Sequence, residues 1–394
     1  MQRNKNILKN AACSLLATIL LLMWFVVSAC GQPKATNAEV EKAISAVSLH
    51  ADTTTLKEKL KVIVDERVEL LAVMQLLFEY PLVGRADIKY KDEVQAYFAN
   101  HKNDTSVNYF LNIAERYLSF VRPINYCYHF TFPGFKQVAD ISSYERDNYG
   151  FGRHSKDSLD MFISALKQFY VESGFHSFYK KHQPFYDTLV ARVKAVTDRA
   201  NLATILEKHY GTAQHSYTLV LSPLFIEAGM STWISSKKGN DLYSIIGPSL
   251  TSKRVPDFDT KWLMQYLVIH EFSHPFCNPL IDKYHDKLEK DSCLFSPVKR
   301  LMAKEGNKTW RNVLCELLTR ANEINLVRQV FGAEDAEKVY RDYMQKGYVY
   351  LSGLLPIIND YAANRSKYKS MDDLMPVIVE FFDSQAQAIT KAKK

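Results

Sequence analysis

Glycine and proline are scarce in this chain, 14 and 13 among 394 residues. An all-β sandwich or barrel needs a turn signal roughly every 8–12 residues, and this chain does not supply them. With 23 tyrosines and 22 phenylalanines, the composition favours a helix-rich protein with a large core. No internal repeat or low-complexity stretch interrupts it. There is no dense Lys/Arg tract with interleaved aromatics, so nucleic-acid binding finds no support. The net charge of +7 is too mild to indicate a partner, and the lysines at the C-terminus read as a solvated tail. There is also no CxxC pair. Beyond Cys13 and Cys30 the cysteines are Cys127, Cys277, Cys293 and Cys315. Export would permit a disulfide, with Cys277–Cys293 the shortest loop, but buried free thiols are the favoured reading.

The first thirty residues look like an address. Arg3, Lys5 and Lys9 form a basic start, and Ala11 to Val27 is an apolar run of signal-peptide length, short for a membrane span. Val27-Ser28-Ala29-Cys30-Gly31 resembles a bacterial lipobox, in which the cysteine is acylated and becomes the new N-terminus. The expectation is a signal peptide at 1–29 and a lipidated Cys30 with a polar tether at 30–40. The chain would then be lipid-anchored to the cell envelope, facing the periplasm or cell surface. Gly31-Gln32-Pro33-Lys34 offers no inner-membrane retention aspartate, so the outer membrane is preferred.

The fold class expected is α+β, mainly helical, with a helical region at 41–200 and a second domain at 201–394. Leu56, Leu60, Val64, Leu70, Leu71, Met74, Leu76 and Leu77 recur mostly at helical spacing. Tyr217–Ser222 reads as a strand, Ser235–Gly239 as a turn and Leu242–Ile246 as a second strand, together a small antiparallel sheet. Helices are expected at Asp259–His274, Trp310–Phe331, Ala333–Leu355 and Met371–Ala388.

The first of these helices carries the chemistry. Asp257 or Asp259 could cap it, and Pro275 should end it. It contains His270-Glu271-Phe272-Ser273-His274. Histidines four apart share one face, one turn from each other, and can reach one Zn²⁺. Glu271 lies beside the first ligand without taking a coordination position, as a general base requires. The competing reading is a buried helix with two hydrogen-bonded histidines and no metal.

A catalytic zinc also needs a third protein ligand. Only His285 follows His274, and Cys277 and Leu280 stand where the metzincin extension HExxHxxGxxH requires Gly and His. A later carboxylate is left. Glu316 falls at the border of the buried face set by Val313, Leu314, Leu317, Ala321 and Ile324. It could turn inward to a metal, or form an exposed i,i+4 ion pair with Arg320. Glu323 and Glu305 are its rivals.

HEFSHPFCNP followed by CELLTRA resembles a family of predicted zincin-like metallopeptidases of bacterial lipoproteins, classed as a domain of unknown function. The resemblance runs from the Tyr217 strand to the helix at Met371. It implies a gluzincin-type zinc peptidase with His270, His274 and Glu316 as ligands and Glu271 as base. It also implies a peptide or protein substrate lying along an edge strand such as Tyr217–Ser222. Thermolysin-type gluzincins carry Asp four residues after the ligand Glu, where Arg320 stands here, so a group orienting a ligand histidine must come from elsewhere; Asn278 and Asp282 are candidates. Tyr348, Tyr350 and Tyr361 lie at suitable downstream distances for an oxyanion donor. A catalytically inactive zincin-fold lipoprotein binding peptide or glycan is the alternative from another class.

Overall fold

The computed structural model describes residues 59–109, 122–139, 156–249, 254–258 and 263–392. The expected signal peptide, Cys30 and the tether lie outside these residues. No helix among the described residues is long and apolar enough to cross a membrane.

In chain order the strands are β1 (Leu60–Ile63), β2 (Ser216–Leu221), β3 (Gly229–Ser236) and β4 (Gly239–Ile246). Helices α1 to α7 are Glu66–Leu77, Lys89–Tyr97, Arg122–Tyr128, Lys156–Glu172, Phe175–Lys181, Gln183–Ala200 and Leu202–Tyr210. After the sheet come a π-helical stretch at Leu263–Val268 and α8 to α14: Ile269–Lys283, His285–Leu288, Phe295–Lys304, Trp310–Phe331, Ala333–Gln345, Leu351–Ala363 and Met371–Ala392. The protein is α+β and mainly helical.

The chain divides into two compact units that do not follow sequence order. One comprises the described residues of 51–205 and 213–275; the other comprises Leu206–Thr212 with the described residues of 276–394.

The first unit is built on a four-stranded sheet of order β1-β2-β4-β3. β1 runs parallel to β2 and β2 parallel to β4, while β3 is antiparallel to β4. The sheet is therefore mixed and not antiparallel. Two elements account for the difference. β1 occupies Leu60–Ile63, where the leucine and valine spacing also fits a helix. The helix instead starts after Asp65, whose side chain accepts from Arg67 N as an N-cap. β3 was missed because its serines and threonine dilute the apolar signal, although Met230, Thr232 and Ile234 alternate inward. As a result β2 is an interior strand, buried over nearly its whole length, and cannot lie beside a substrate. Among the described residues the edges are β1 and β3.

α1 is buried along almost its whole length, from Val68 to Leu77. Aromatic rings fill the space beside α2: Phe98 meets Phe178 at 5.0 Å and Phe169 at 5.7 Å, and Tyr90 stacks on Phe185 at 5.1 Å. This is where much of the Tyr/Phe content is spent, each large ring removing apolar surface from water.

In the second unit α11 is the central helix. Thr309 caps it, accepting from Asn312 N at 3.2 Å, and it packs against α12 and α13. Val313, Leu314, Leu317, Ala321 and Ile324 are all buried, as their spacing requires. The single helix expected over Ala333–Leu355 is two, because Gly347 takes a positive φ of 98° between α12 and α13. Cys127, Cys277 and Cys315 are buried free thiols and Cys293 is an exposed one, so Cys277–Cys293 is not a disulfide.

Candidate metal centre

Helix α8 is entered from the π-helical stretch Leu263–Val268, and it does not stop at His274. It continues through Pro275 and Pro279 to Lys283. A proline ring inside a helix removes a hydrogen bond and costs about 3 kcal/mol. Here burial outweighs that cost: Phe272, Phe276, Cys277 and Ile281 are all at most 6% exposed. Phe272 packs edge-on against Tyr217 of β2 at 5.5 Å, and Ser273 donates its hydroxyl to Ile269 O at 2.7 Å. Of the two cap candidates, Asp259 lies outside the described residues. Asp257 forms a β-bridge with Ser249 and an ion pair with Arg192 at 3.2 Å.

His270 and Glu271 are buried and His274 is half-buried. The two imidazoles stand at 89° with centroids 4.6 Å apart, and their Nε2 atoms approach to 3.0 Å. Glu316 of α11 completes the group. One ligand atom from each of His270, His274 and Glu316 lies within 4.8 Å of the others, and the cluster could hold a metal ion. Donors bound to a tetrahedral zinc at 2.0–2.1 Å are about 3.3 Å apart, so the histidine pair needs only a small adjustment to accept one.

Glu316 also makes the ion pair considered from sequence, but the pair is not exposed. Arg320 Nη2 lies 2.8 Å from Glu316 Oε2, and the two side chains are 15% and 18% exposed. The Arg320 guanidinium sits over the rings of Tyr343 and Tyr348, at 4.2 and 4.5 Å from their centroids. Glu323, the first rival, is fully buried and receives the Tyr343 hydroxyl at 2.8 and 2.9 Å; burial pushes its carboxyl up to about 8. Glu305, the second, follows α10, and burial raises its pKa too. Neither belongs to the ligand cluster.

Asp282, Tyr350 and Tyr361 are engaged elsewhere. Asp282 forms a two-pronged pair with Arg311 at 2.5 and 2.7 Å, and Asn278 is half-buried on α8. Tyr350 donates to Leu294 O and Tyr361 to His209 O, so both hydroxyls are committed to backbone carbonyls. Tyr348 is buried, with its hydroxyl receiving Asn307 Nδ2 at 3.1 Å. His285 is exposed on α9.

One participant had no sequence signal. Gly229, the first residue of β3, lies against Glu271: a Cβ there would stand 2.6 Å from Glu271 Cγ and 2.7 Å from its Oε1. Glycine at this position leaves the space that the Glu271 side chain occupies.

The family model described as a domain of unknown function, DUF4932, matches residues 137–381. The chain belongs to that family. The DUF4932 segment contains Gly229, His270, Glu271, His274, Glu316 and Arg320. No curated protein matches the chain, and no solved structure does.

Proposed function

We propose that this DUF4932 protein is a zinc-dependent hydrolase, a gluzincin-type peptidase acting on peptide or protein substrates. The observation that carries the reading is the convergence of His270, His274 and Glu316 with Glu271 on the same helix turn. Two imidazoles and one carboxylate are the donor set of open catalytic zinc sites. Zinc held there would supply Lewis acidity, polarising a carbonyl and lowering the pKa of water. Glu271 then acts as the base, taking a proton from water and delivering it to the leaving amine. The missing side chain at Gly229 leaves room for that carboxylate where it now stands, a place that a Cβ would deny it. The π-helical stretch just before His270 is of a kind that recurs at functional sites.

An extended substrate would pair with an edge strand, and β3 fits this role better than β2. β3 is an edge of the sheet and passes Glu271 at Gly229. The lipobox-like sequence at Cys30 further suggests attachment to the cell envelope, which metabolic labelling with a fatty acid would test against Cys30→Ala.

The deciding experiment measures metal in the full chain purified in detergent. About one zinc per chain is expected, lost in His274→Ala and Glu316→Ala. Glu271→Gln should keep the metal while lowering turnover in a peptide-library screen by at least ~100-fold. Wild-type protein that takes up no metal after reconstitution would sink the proposal. Equal turnover by Glu271→Gln would remove the base.

A further inference from the structure

We infer that Arg320 is a positioning residue, holding the Glu316 carboxylate as a metal ligand through a guanidinium seated in the corner formed by the rings of Tyr343 and Tyr348. The inference rests on the metal reading above. It starts from the burial of the pair. An exposed i,i+4 pair needs no support and contributes only ~0.3–0.5 kcal/mol. Arg320 and Glu316 are largely removed from water, where the desolvation cost is repaid only if the charges are held in good geometry.

The surroundings restrain the cation. The guanidinium sits over both Tyr343 and Tyr348, whose rings meet it from two adjacent sides, 5.9 Å apart and inclined at 70°. Each ring is tied at its hydroxyl, Tyr343 to Glu323 and Tyr348 to Asn307. Four residues around α11 thus restrain one cation, and that cation touches one of the three clustered ligands. Apolar residues of the same volume would often be as stable, so the cost of burying this charge calls for a role beyond packing.

Glu323 lies in the same electrostatic neighbourhood, but its two carboxyl oxygens receive the Tyr343 hydroxyl, and burial pushes its pKa up. Glu316 is the carboxylate in direct contact with Arg320. A carboxylate has two oxygens and about four lone-pair sites. Oε2 lies 2.8 Å from the guanidinium in an ion-pair contact without an aligned hydrogen bond, which draws that oxygen to Arg320 while lone pairs remain for a metal. Partners that orient a ligand in this way typically account for ~10–100-fold in metal affinity.

The test compares wild type, His274→Ala, Glu316→Ala, Arg320→Gln and Arg320→Lys as full chains in detergent. Zinc affinity is read by chelator competition and ligand geometry by the visible spectrum of the cobalt(II) form. Apo-protein melting is followed alongside. Arg320→Gln should bind zinc ~10–100-fold more weakly with an altered cobalt spectrum. Arg320→Lys keeps the charge without the planar fork and should fall between. Unchanged affinity and spectrum in both variants, whatever their melting temperatures, would show that Arg320 only packs. If Arg320→Gln fails to fold, Arg320→Lys decides by the same criterion. Zinc lost in His274→Ala but kept in Glu316→Ala would overturn this inference and leave the site standing. No zinc in wild type would remove both.

Discussion

Glu69 shows at the level of one residue how burial shapes this protein. Its carboxyl is fully buried on α1, between the Ser222 hydroxyl at 3.0 Å and the Tyr90 hydroxyl at 3.0 Å. Desolvation outweighs both hydrogen bonds and pushes its pKa up to about 7. Between the ordinary carboxylate range and pH 7 the unfolded chain has released this proton while the folded chain keeps it. Stability must therefore fall as pH rises through that window, by up to roughly 3 kcal/mol. Melts of Glu69→Gln and wild type should diverge from pH 5 to pH 8, with the variant losing less; parallel curves would refute the assignment. Nothing in the sequence marked Glu69, whose partners lie on α2 and after β2. His270, Glu271 and His274 were legible because their chemistry is local, one helix turn repeated. Glu316 was legible only as the best of three carboxylates. The choice among them depends on which way each side chain turns, and Glu323 turns to a tyrosine on another helix.

At the level of the element, Gly229 can be tested directly. A methyl group there overlaps the Glu271 side chain, so Gly229→Ala must displace the carboxylate or bend the start of β3. The expected cost is ~1–3 kcal/mol of stability, with the zinc content unchanged. Ser235→Ala at the exposed end of the same strand is the control, and an identical melt for both variants would show that β3 yields freely. α11 was read to the residue, and the start of α14 likewise, because a 22-residue periodic pattern averages out local noise. The short elements were not. β1 offers four residues whose apolar spacing suits either structure, and only its pairing with β2 decides. The end expected at Pro275 failed for a related reason. A local rule about proline was overridden by the buried face of α8, which no window of sequence displays.

Across the whole molecule, the four thiols outside the N-terminal segment give a simple readout of integrity. Cys293 is exposed while Cys127, Cys277 and Cys315 are buried, and burial pushes the buried thiols up to about 12. In the native protein a maleimide should lose one labelling site when Cys293 is changed to Ser. The other three should react only on denaturation, and rapid native labelling of any of them would contradict the core described above. The α+β class followed from composition and helix periodicity, but the mixed sheet did not, because parallel pairing joins segments that are remote in the chain. That remoteness also has a consequence in time. Chains are made at ~5–20 residues per second, so β1 is complete on the order of ten seconds before β2 exists to receive it. Throughout that interval an apolar strand has no partner of its own, and whatever shields it then decides how much of the newly made protein reaches the native sheet.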